Sequence, residues 1–238
     1  GSLINFCDCL MAGGSSRRDH SEVGSGYIHF NFTPWGARGD KATPSLVGDV
    51  PRGVLLRERR IFLGGSGGMI GPRNVGFGAV VGAGSVMRSD VADDRLSLQR
   101  GRALDRPLDP EHLDPLAARY ERNLRYIGEL VALRAWYREV RLRRAAAQPH
   151  TAIVTREAIA NLDLAIDERR KRLISYAGER GLAAEELPPL APDSYPPCPI
   201  AIDGAADEHV AWVQGLDEDA AEALRAWLAG IVADACAA

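Results

Sequence analysis

The feature that most constrains the fold of this chain is an apolar residue at every sixth position, at Leu63, Met69, Val75, Val81 and Met87. A period of six fits neither the turn of a helix nor the alternation of a strand, and it is typical of a parallel β-helix. Each hexapeptide of such a solenoid forms one flat side and points its aliphatic residue into a shared core. Glycines lie between these positions and suit the tight corners, where a Cβ atom would clash.

The chain changes character near residue 92, and the sequence predicts two domains. We expect a β-helix over 1–95 and an α-helical region over 96–238. Downstream of the change, apolar residues follow helical spacing at Leu113, Leu116, Tyr120, Leu124, Ile127, Val131, Trp136 and Val140. The fold class is therefore β + α, with parallel hexapeptide repeats followed by helices.

The helical region contains a second helix and a linker. The second helix is expected from about Thr155 to Tyr176, with its N-cap at or near Thr155 and Gly178 near its end. A proline-rich linker follows over 187–199, because prolines at this density prevent regular structure. Helical spacing resumes after Asp207.

Composition narrows the functional classes. The net charge of −3 gives no basis for a general nucleic-acid or membrane surface, and no apolar run approaches the length of a membrane span. The four cysteines and five histidines lack metal-ligand spacing, so no metal site is predicted. Cysteines in this pattern favour a reducing compartment, and we predict a cytoplasmic protein.

The first helix carries an arginine-rich stretch, at Arg134, Arg138, Arg141, Arg143 and Arg144. It allows phosphate or nucleic-acid binding, although such a stripe is more often a solvated face interleaved with acids. We predict the solvated face and no nucleic-acid partner.

On the hexapeptide frame, residues 22–91 resemble one particular family. The stretch VGSGYIHFNF over 23–32 is followed by the Lys41-Ala42-Thr43 triplet and then by Val47-Gly48-Asp49. The sequence continues as IFLGG from Ile61 and closes as VGFGAVVGAGSV over 75–86. In this order the motifs are similar to the left-handed β-helix acetyltransferase domain of the bifunctional N-acetylglucosamine-1-phosphate uridyltransferase / glucosamine-1-phosphate acetyltransferases.

The resemblance implies a left-handed β-helix, acetyl-CoA as co-substrate and a homotrimer with its groove between neighbouring subunits. It implies that Asn31 contacts the acceptor sugar or stabilises developing charge, and that Phe32 stacks where the family has tyrosine. It also implies that small residues at Gly65, Gly82 and Ala83 offer backbone groups to acetyl-CoA.

Two of the family's site residues, the general base and the residue that binds the sugar phosphate, have no direct match in this sequence. Removing a proton from a sugar amine needs a base with a pKa near neutrality, which suits histidine. His20 is nearest to the family's position, and His29, two residues before Asn31, is the alternative. The family's phosphate-binding lysine falls near Leu10, and the possible substitutes are Arg17, Arg18 and Lys41.

Two functions remain open at this stage. The first is an acetyl-CoA-dependent N-acetyltransferase acting on an amino-sugar phosphate in UDP-N-acetylglucosamine synthesis, within a longer sugar nucleotidyltransferase protein. The alternative is a non-catalytic β-helix that trimerises or regulates such a nucleotidyltransferase. Leu10 and Phe32 favour the alternative, whereas Asn31 and the small corner residues favour the enzyme.

Overall fold

The computed structural model describes residues 9–30, 44–99, 116–178, 195–203 and 208–237. The described chain begins with ten short strands: β1 Cys9–Met11, β2 Glu22–Val23, β3 Ile28–Phe30, β4 Ser45–Val47, β5 Phe62–Leu63, β6 Gly68–Ile70, β7 Asn74–Val75, β8 Val80–Val81, β9 Val86–Met87 and β10 Leu96–Ser97. All of the pairings between these strands are parallel.

The strands form three sheets that the chain visits in rotation. Sheet 1 has the order β2-β5-β8-β10, sheet 2 has β3-β6-β9 and sheet 3 has β1-β4-β7. Because each strand pairs with its equivalent one turn of the chain later, these sheets are the three sides of a parallel β-helix. The β-helix expected from the six-residue period is therefore present, and its left hand stays a prediction.

The interior of the β-helix is the column of residues that the period predicts. Leu63, Met69, Val81 and Met87 have no exposed surface, and Val75 is 2% exposed. The same core cluster contains Tyr27, Val47, Ile61, Phe77, Ala79 and Val91. The hydroxyl of Tyr27 donates to Met87 Sδ at 3.4 Å, and burial, followed by the charge of Cys9, raises the pKa of this phenol.

The helical part contains six α-helices in the described residues: α1 Val50–Gly53, α2 Leu116–Trp136, α3 Leu142–Arg144, α4 Pro149–Gly178, α5 His209–Gly215 and α6 Glu218–Ala237. A π-helical stretch, Tyr137–Arg141, continues α2, and a 3₁₀ turn, Ala145–Ala147, follows α3. The chain divides into two compact units, and neither of them is one continuous stretch of the sequence. One unit contains Gly1–Asp49 and Arg57–Arg122, and the other contains Val50–Leu56 and Asn123–Ala238.

The second predicted helix is confirmed, and its predicted start is wrong. It ends at Gly178 as expected, but it begins at Pro149, six residues before Thr155. Thr155 lies inside the helix and is 3% exposed, and its hydroxyl donates to the Thr151 carbonyl at 2.7 Å. A threonine whose hydroxyl bonds to the preceding turn can lie within a helix, so it does not mark the start.

The arginine-rich stretch is only partly a solvated face. Arg134 and Arg144 are each 4% exposed, and their guanidinium groups pair with Asp163 at 2.9 Å and Asp203 at 3.2 Å. Arg144 also lies 4.2 Å from the centre of the Trp212 ring. Buried arginines of this kind are held by carboxylates and aromatic rings, and the solvated-face prediction is wrong for these two.

Among the described residues, none of the helices combines the length and the apolar character that a bilayer crossing needs.

Candidate functional site

The site begins with a column of corner residues where the strands of sheet 1 end. Ser25, Gly65 and Ala83 occupy the same place on three successive coils, one after the other. The N–H of Ser66 donates to the Ser25 carbonyl at 2.7 Å, and that of Gly84 donates to the Gly65 carbonyl at 2.9 Å. We call these three residues the corner column.

The corners stack so closely that only small residues fit. A Cβ atom added at Gly65 would lie 2.8 Å from the Ser25 carbonyl oxygen, inside ordinary contact distance. The backbone N–H groups of Gly65 and Ala83 donate to no backbone carbonyl in the described part of the chain. The structure therefore brings Gly65 and Ala83 together as a short row of backbone donors at the surface, whereas Gly82, just before Ala83, donates its own N–H to the Ser97 carbonyl at 2.9 Å.

Such a row has a definite chemical use. Backbone N–H groups that are not used within the protein can donate to the amide carbonyls of an extended ligand or stabilise a developing oxyanion. The corner column thus fits a ligand that runs along the solenoid and presents carbonyl oxygens to it.

A cleft of about 520 Å³ opens at the other edge of sheet 1, where its strands begin. It is lined by Asp19, Glu22, Arg59, Arg60, Ile61, Phe62, Gly78 and Val80. Its floor is the outer side of β5 and β8, on which Phe62 and Val80 are 40% and 39% exposed. The register places Glu22, Phe62, Val80 and Leu96 in one row across the sheet.

Ion pairs form the rim of this cleft. Arg59 Nη1 lies 2.6 Å from Asp94 Oδ1, and Arg60 Nε lies 3.8 Å from Asp19 Oδ1. All four side chains are about half exposed or more, so these pairs contribute little to stability. The cleft combines an apolar floor with exposed charge of both signs.

Three of the predicted site residues lie on the loop that enters sheet 1. Arg17, Arg18 and His20 are all exposed, and His20 Nδ1 lies 3.0 Å from the Ser21 carbonyl oxygen. His20 stands between two residues that line the cleft, Asp19 and Glu22, without lining it. The structure therefore places this histidine at the strand start and the corner column at the strand end.

His29 lies in a different environment from His20. It is 2% exposed on β3, and its Nε2 lies 2.8 Å from the hydroxyl of Ser45, which is also buried. The same hydroxyl oxygen accepts the backbone N–H of Arg73 at 2.9 Å. These contacts make His29 part of the interior. The remaining predicted site residues, Asn31, Phe32 and Lys41, lie outside the described residues.

Replacing Ser45 by alanine should destabilise the protein by about 2 kcal/mol, since the buried His29 ring and the part-buried N–H of Arg73 lose the same hydroxyl together. Thermal unfolding of Ser45→Ala measures the loss. The double variant His29→Phe with Ser45→Ala removes one of the two groups that bond to this hydroxyl and should recover part of the lost stability. A double variant less stable than Ser45→Ala would contradict this account of His29.

The cleft was missed from sequence although a signal was present. The residue before each inward-pointing aliphatic faces outward, and it is apolar at Phe62 and Val80 on two successive coils. Outward apolar residues at neighbouring positions indicate a binding surface. The arginines of the rim gave no such signal, because they belong to residues 50–60, an insertion between the Val47-Gly48-Asp49 motif and Ile61 relative to the family that the sequence resembles.

Comparison with known proteins finds relatives of one name. The bifunctional protein GlmU of Fervidobacterium nodosum is 35% identical over 82 residues, which are 34% of this chain and 15% of the relative. The bifunctional protein GlmU of Acinetobacter baumannii is 34% identical over 86 residues, 36% of this chain and 16% of the relative. The bifunctional protein GlmU of Nitratidesulfovibrio vulgaris is 44% identical over 46 residues, which are 19% of this chain and 10% of the relative. A region of this chain is therefore similar to part of these GlmU proteins.

The chain spans about 15% of the length of the first of these relatives. No family model matches the chain. The similarity therefore supports a relation to the GlmU family and does not assign an activity. In the described residues, no group of three or more histidine, cysteine, aspartate or glutamate side chains is placed to hold a metal ion.

Proposed function

We propose that this chain is an acetyl-CoA-dependent N-acetyltransferase acting on an amino-sugar phosphate, of the type that supplies UDP-N-acetylglucosamine synthesis. The observation that carries the proposal is the corner column, where Gly65 and Ala83 leave backbone N–H groups unused on successive coils. The relation to GlmU supports the same assignment at the level of family.

Acetyl-CoA lies along the corner column in this proposal. The pantetheine arm carries two amides, and its extended shape matches a row of peptide groups. Gly65 matters because a side chain there would meet the Ser25 carbonyl and displace the corner. Gly82 keeps the approach open, with only the tip of Leu98 lying over it.

The reaction is a direct transfer. The neutral amine of the sugar attacks the thioester carbonyl, the C–N bond forms, and the C–S bond breaks with release of the coenzyme A thiol. The amine proton passes to a base, and the tetrahedral intermediate places its negative charge near an N–H or amide donor. Asn31 is assigned the amide role.

The proposal assigns the base to His20. This histidine is exposed on the loop that enters sheet 1, whereas His29 is 2% exposed and paired with Ser45. Arg17 and Arg18 on the same loop, together with Lys41, are assigned to the sugar phosphate, and Phe32 is assigned to stacking on the sugar. A homotrimer would supply the second wall of the groove, and the reducing cytoplasm is the proposed compartment.

A second function is favoured by one specific observation. Leu10, at the position where the family has its phosphate-binding lysine, is paired with Leu46 inside sheet 3 and carries no charge. This favours a β-helix that trimerises or regulates a sugar nucleotidyltransferase without transferring acetyl groups.

Release of thiol from acetyl-CoA in the presence of glucosamine-1-phosphate decides between the two. We expect release by the native chain, and a rate at least about tenfold lower in Asn31→Ala and in His20→Gln, because each removes one catalytic group. His150→Gln, at an exposed position on α4, is the matched control and should be unchanged. No thiol release from a folded trimer would overturn the enzyme and leave the regulatory function.

A further inference from the structure

Three arginines of the β-helix unit converge at the corner between sheets 2 and 3. Arg73 follows β6, Arg88 follows β9, and Arg122 lies on α2 within the same compact unit. Because β6 and β9 pair in parallel register, the two turns that carry Arg73 and Arg88 stack on adjacent coils, about 4.8 Å apart.

The guanidinium groups of Arg73 and Arg122 share one acceptor. Nη1 of Arg73 donates to the Pro72 carbonyl oxygen at 2.7 Å, and Nη1 of Arg122 donates to the same oxygen at 2.6 Å. A carbonyl oxygen has two lone pairs, so this acceptor is filled while each guanidinium keeps further N–H donors. The buried Nε of Arg73 has no hydrogen-bond partner in the described part of the chain. The two groups therefore lie side by side with donors to spare.

The third arginine, Arg88, adds a further positive charge to this group. Arg88 is exposed, and its side chain makes no hydrogen bond or ion pair with any residue that the structure describes. Burial of Arg73, followed by the nearby charge of Arg122, lowers the Arg73 pKa; the charge of Asp90 opposes this shift, and the charge of Arg88 adds to it. Positive charge is thus concentrated here on a chain whose net charge is −3.

Asp90 is the acid that contacts this group in the described structure, and it is already occupied. It accepts Arg122 Nη1 at 3.3 Å, and it accepts the backbone N–H and the side-chain amide of Asn74 at 3.1 and 3.4 Å. With Asp90 counted against the three arginines, the group has a net charge of +2. Asp90 therefore positions Arg122 without neutralising the group.

The backbone under the arginines is fixed. Gln99 Oε1 accepts the N–H groups of Arg88 and Ser89 at 2.7 and 3.2 Å. Val75 and Val91 form a parallel bridge that joins the same two coils. A rigid turn lowers the conformational cost of binding, since little is left to order when a ligand arrives.

We infer that Arg73, Arg88 and Arg122 form a binding site for a phosphoryl anion, the phosphate or pyrophosphate of a small ligand. Planar guanidinium groups match phosphate oxygens in paired hydrogen bonds. A phosphate monoester carries roughly −1.5 to −2 at neutral pH, which balances the charge of the group, whereas a single carboxylate does not. The site lies at a different corner from the corner column and stands independently of acetyl transfer.

Isothermal titration of the full chain with inorganic pyrophosphate tests the site. We expect a dissociation constant below about 1 mM for the native chain and binding weakened at least about tenfold in Arg88→Gln. Arg88 is the primary variant because its exposed side chain supports no other described residue, so folding should be unaffected. Arg95→Gln, an exposed arginine of the same unit, should bind like the native chain.

Two results would overturn the proposal. One is the absence of pyrophosphate binding by the folded native chain at about 10 mM, and the other is equal weakening by Arg88→Gln and Arg95→Gln, which indicates general charge attraction. A competition arm identifies the source of the phosphoryl group. Displacement of pyrophosphate by coenzyme A assigns the site to the phosphates of that molecule, and independent binding of both assigns it to a free anion.

Discussion

Replacing Gly64 by alanine is expected to lower the free energy of unfolding of the β-helix by about 3 kcal/mol. The added Cβ would meet the backbone of the next coil, at 2.6 Å from Gly82 C and 2.7 Å from Ala83 Cα. Backbone atoms of a paired coil cannot move aside without breaking the hydrogen bond from Gly64 N to the Val81 carbonyl, which is 2.8 Å long. Amide hydrogen exchange of peptides from β5 to β9 measures the loss.

The matched control is Gly82→Ala, at the equivalent position one coil later. Its Cβ would meet only the Cδ2 tip of Leu98, whose side chain is 66% exposed and free to turn away. We expect a cost below about 1 kcal/mol for this variant. Equal costs for the two variants would show that the close approach of the coils is not what requires glycine at residue 64.

Replacing Glu129 by leucine is expected to destabilise the helical unit by about 3 kcal/mol. Glu129 is 1% exposed, and its Oε2 accepts the backbone N–H of Val50 at 2.8 Å, at the start of α1. Leucine fills the volume and leaves that buried N–H without its acceptor. Tryptophan fluorescence during urea unfolding measures the change, because Trp136, Trp212 and Trp227 all lie in this unit.

Glu129→Gln separates the hydrogen bond from the negative charge. An amide oxygen can still accept the Val50 N–H, so this variant should lose less than half as much stability as the leucine variant. If glutamine and leucine cost the same, the charge of Glu129, and not its acceptor for Val50, holds the start of α1.

The repeat could be predicted from sequence because it is a local rule applied many times. Leu63, Met69, Val75, Val81 and Met87 were assigned to the interior by spacing alone, and all are buried. The helix that ends at Gly178 was predicted for the same reason. The π-helical stretch Tyr137–Arg141 was not, because the sequence pattern around it is that of an ordinary helix.

The candidate site was less predictable, because it depends on which parts of the chain meet. Gly65, Gly82 and Ala83 were named together by the resemblance to the acetyltransferase domain, and the register of sheet 1 places Gly65 and Ala83 in one column. The histidines could not be sorted by spacing, and only burial separates the exposed His20 from His29 beside Ser45. Arg73 and Arg122 lie far apart in the chain and meet at the Pro72 carbonyl oxygen. A periodic sequence pattern cannot predict a contact of this kind.

The insertion after the Val47-Gly48-Asp49 motif had no assigned role in the sequence. In the structure, residues 50–56 belong to the helical unit although the chain on both sides belongs to the β-helix unit. Val50 and Leu55 are 6% and 1% exposed, so their burial depends on the helical unit. Long-range packing of this kind is invisible in a local pattern.

This sharing of residues 50–56 has a genetic consequence. A repeat domain that ends before its helices begin can be gained, lost or exchanged between genes in a single recombination event. Here such an event would separate Val50 and Leu55 from the helical unit in which both are buried. We therefore expect the two units to have been inherited together once the insertion was acquired. The two units would then have been parts of one protein for at least as long as the insertion has existed.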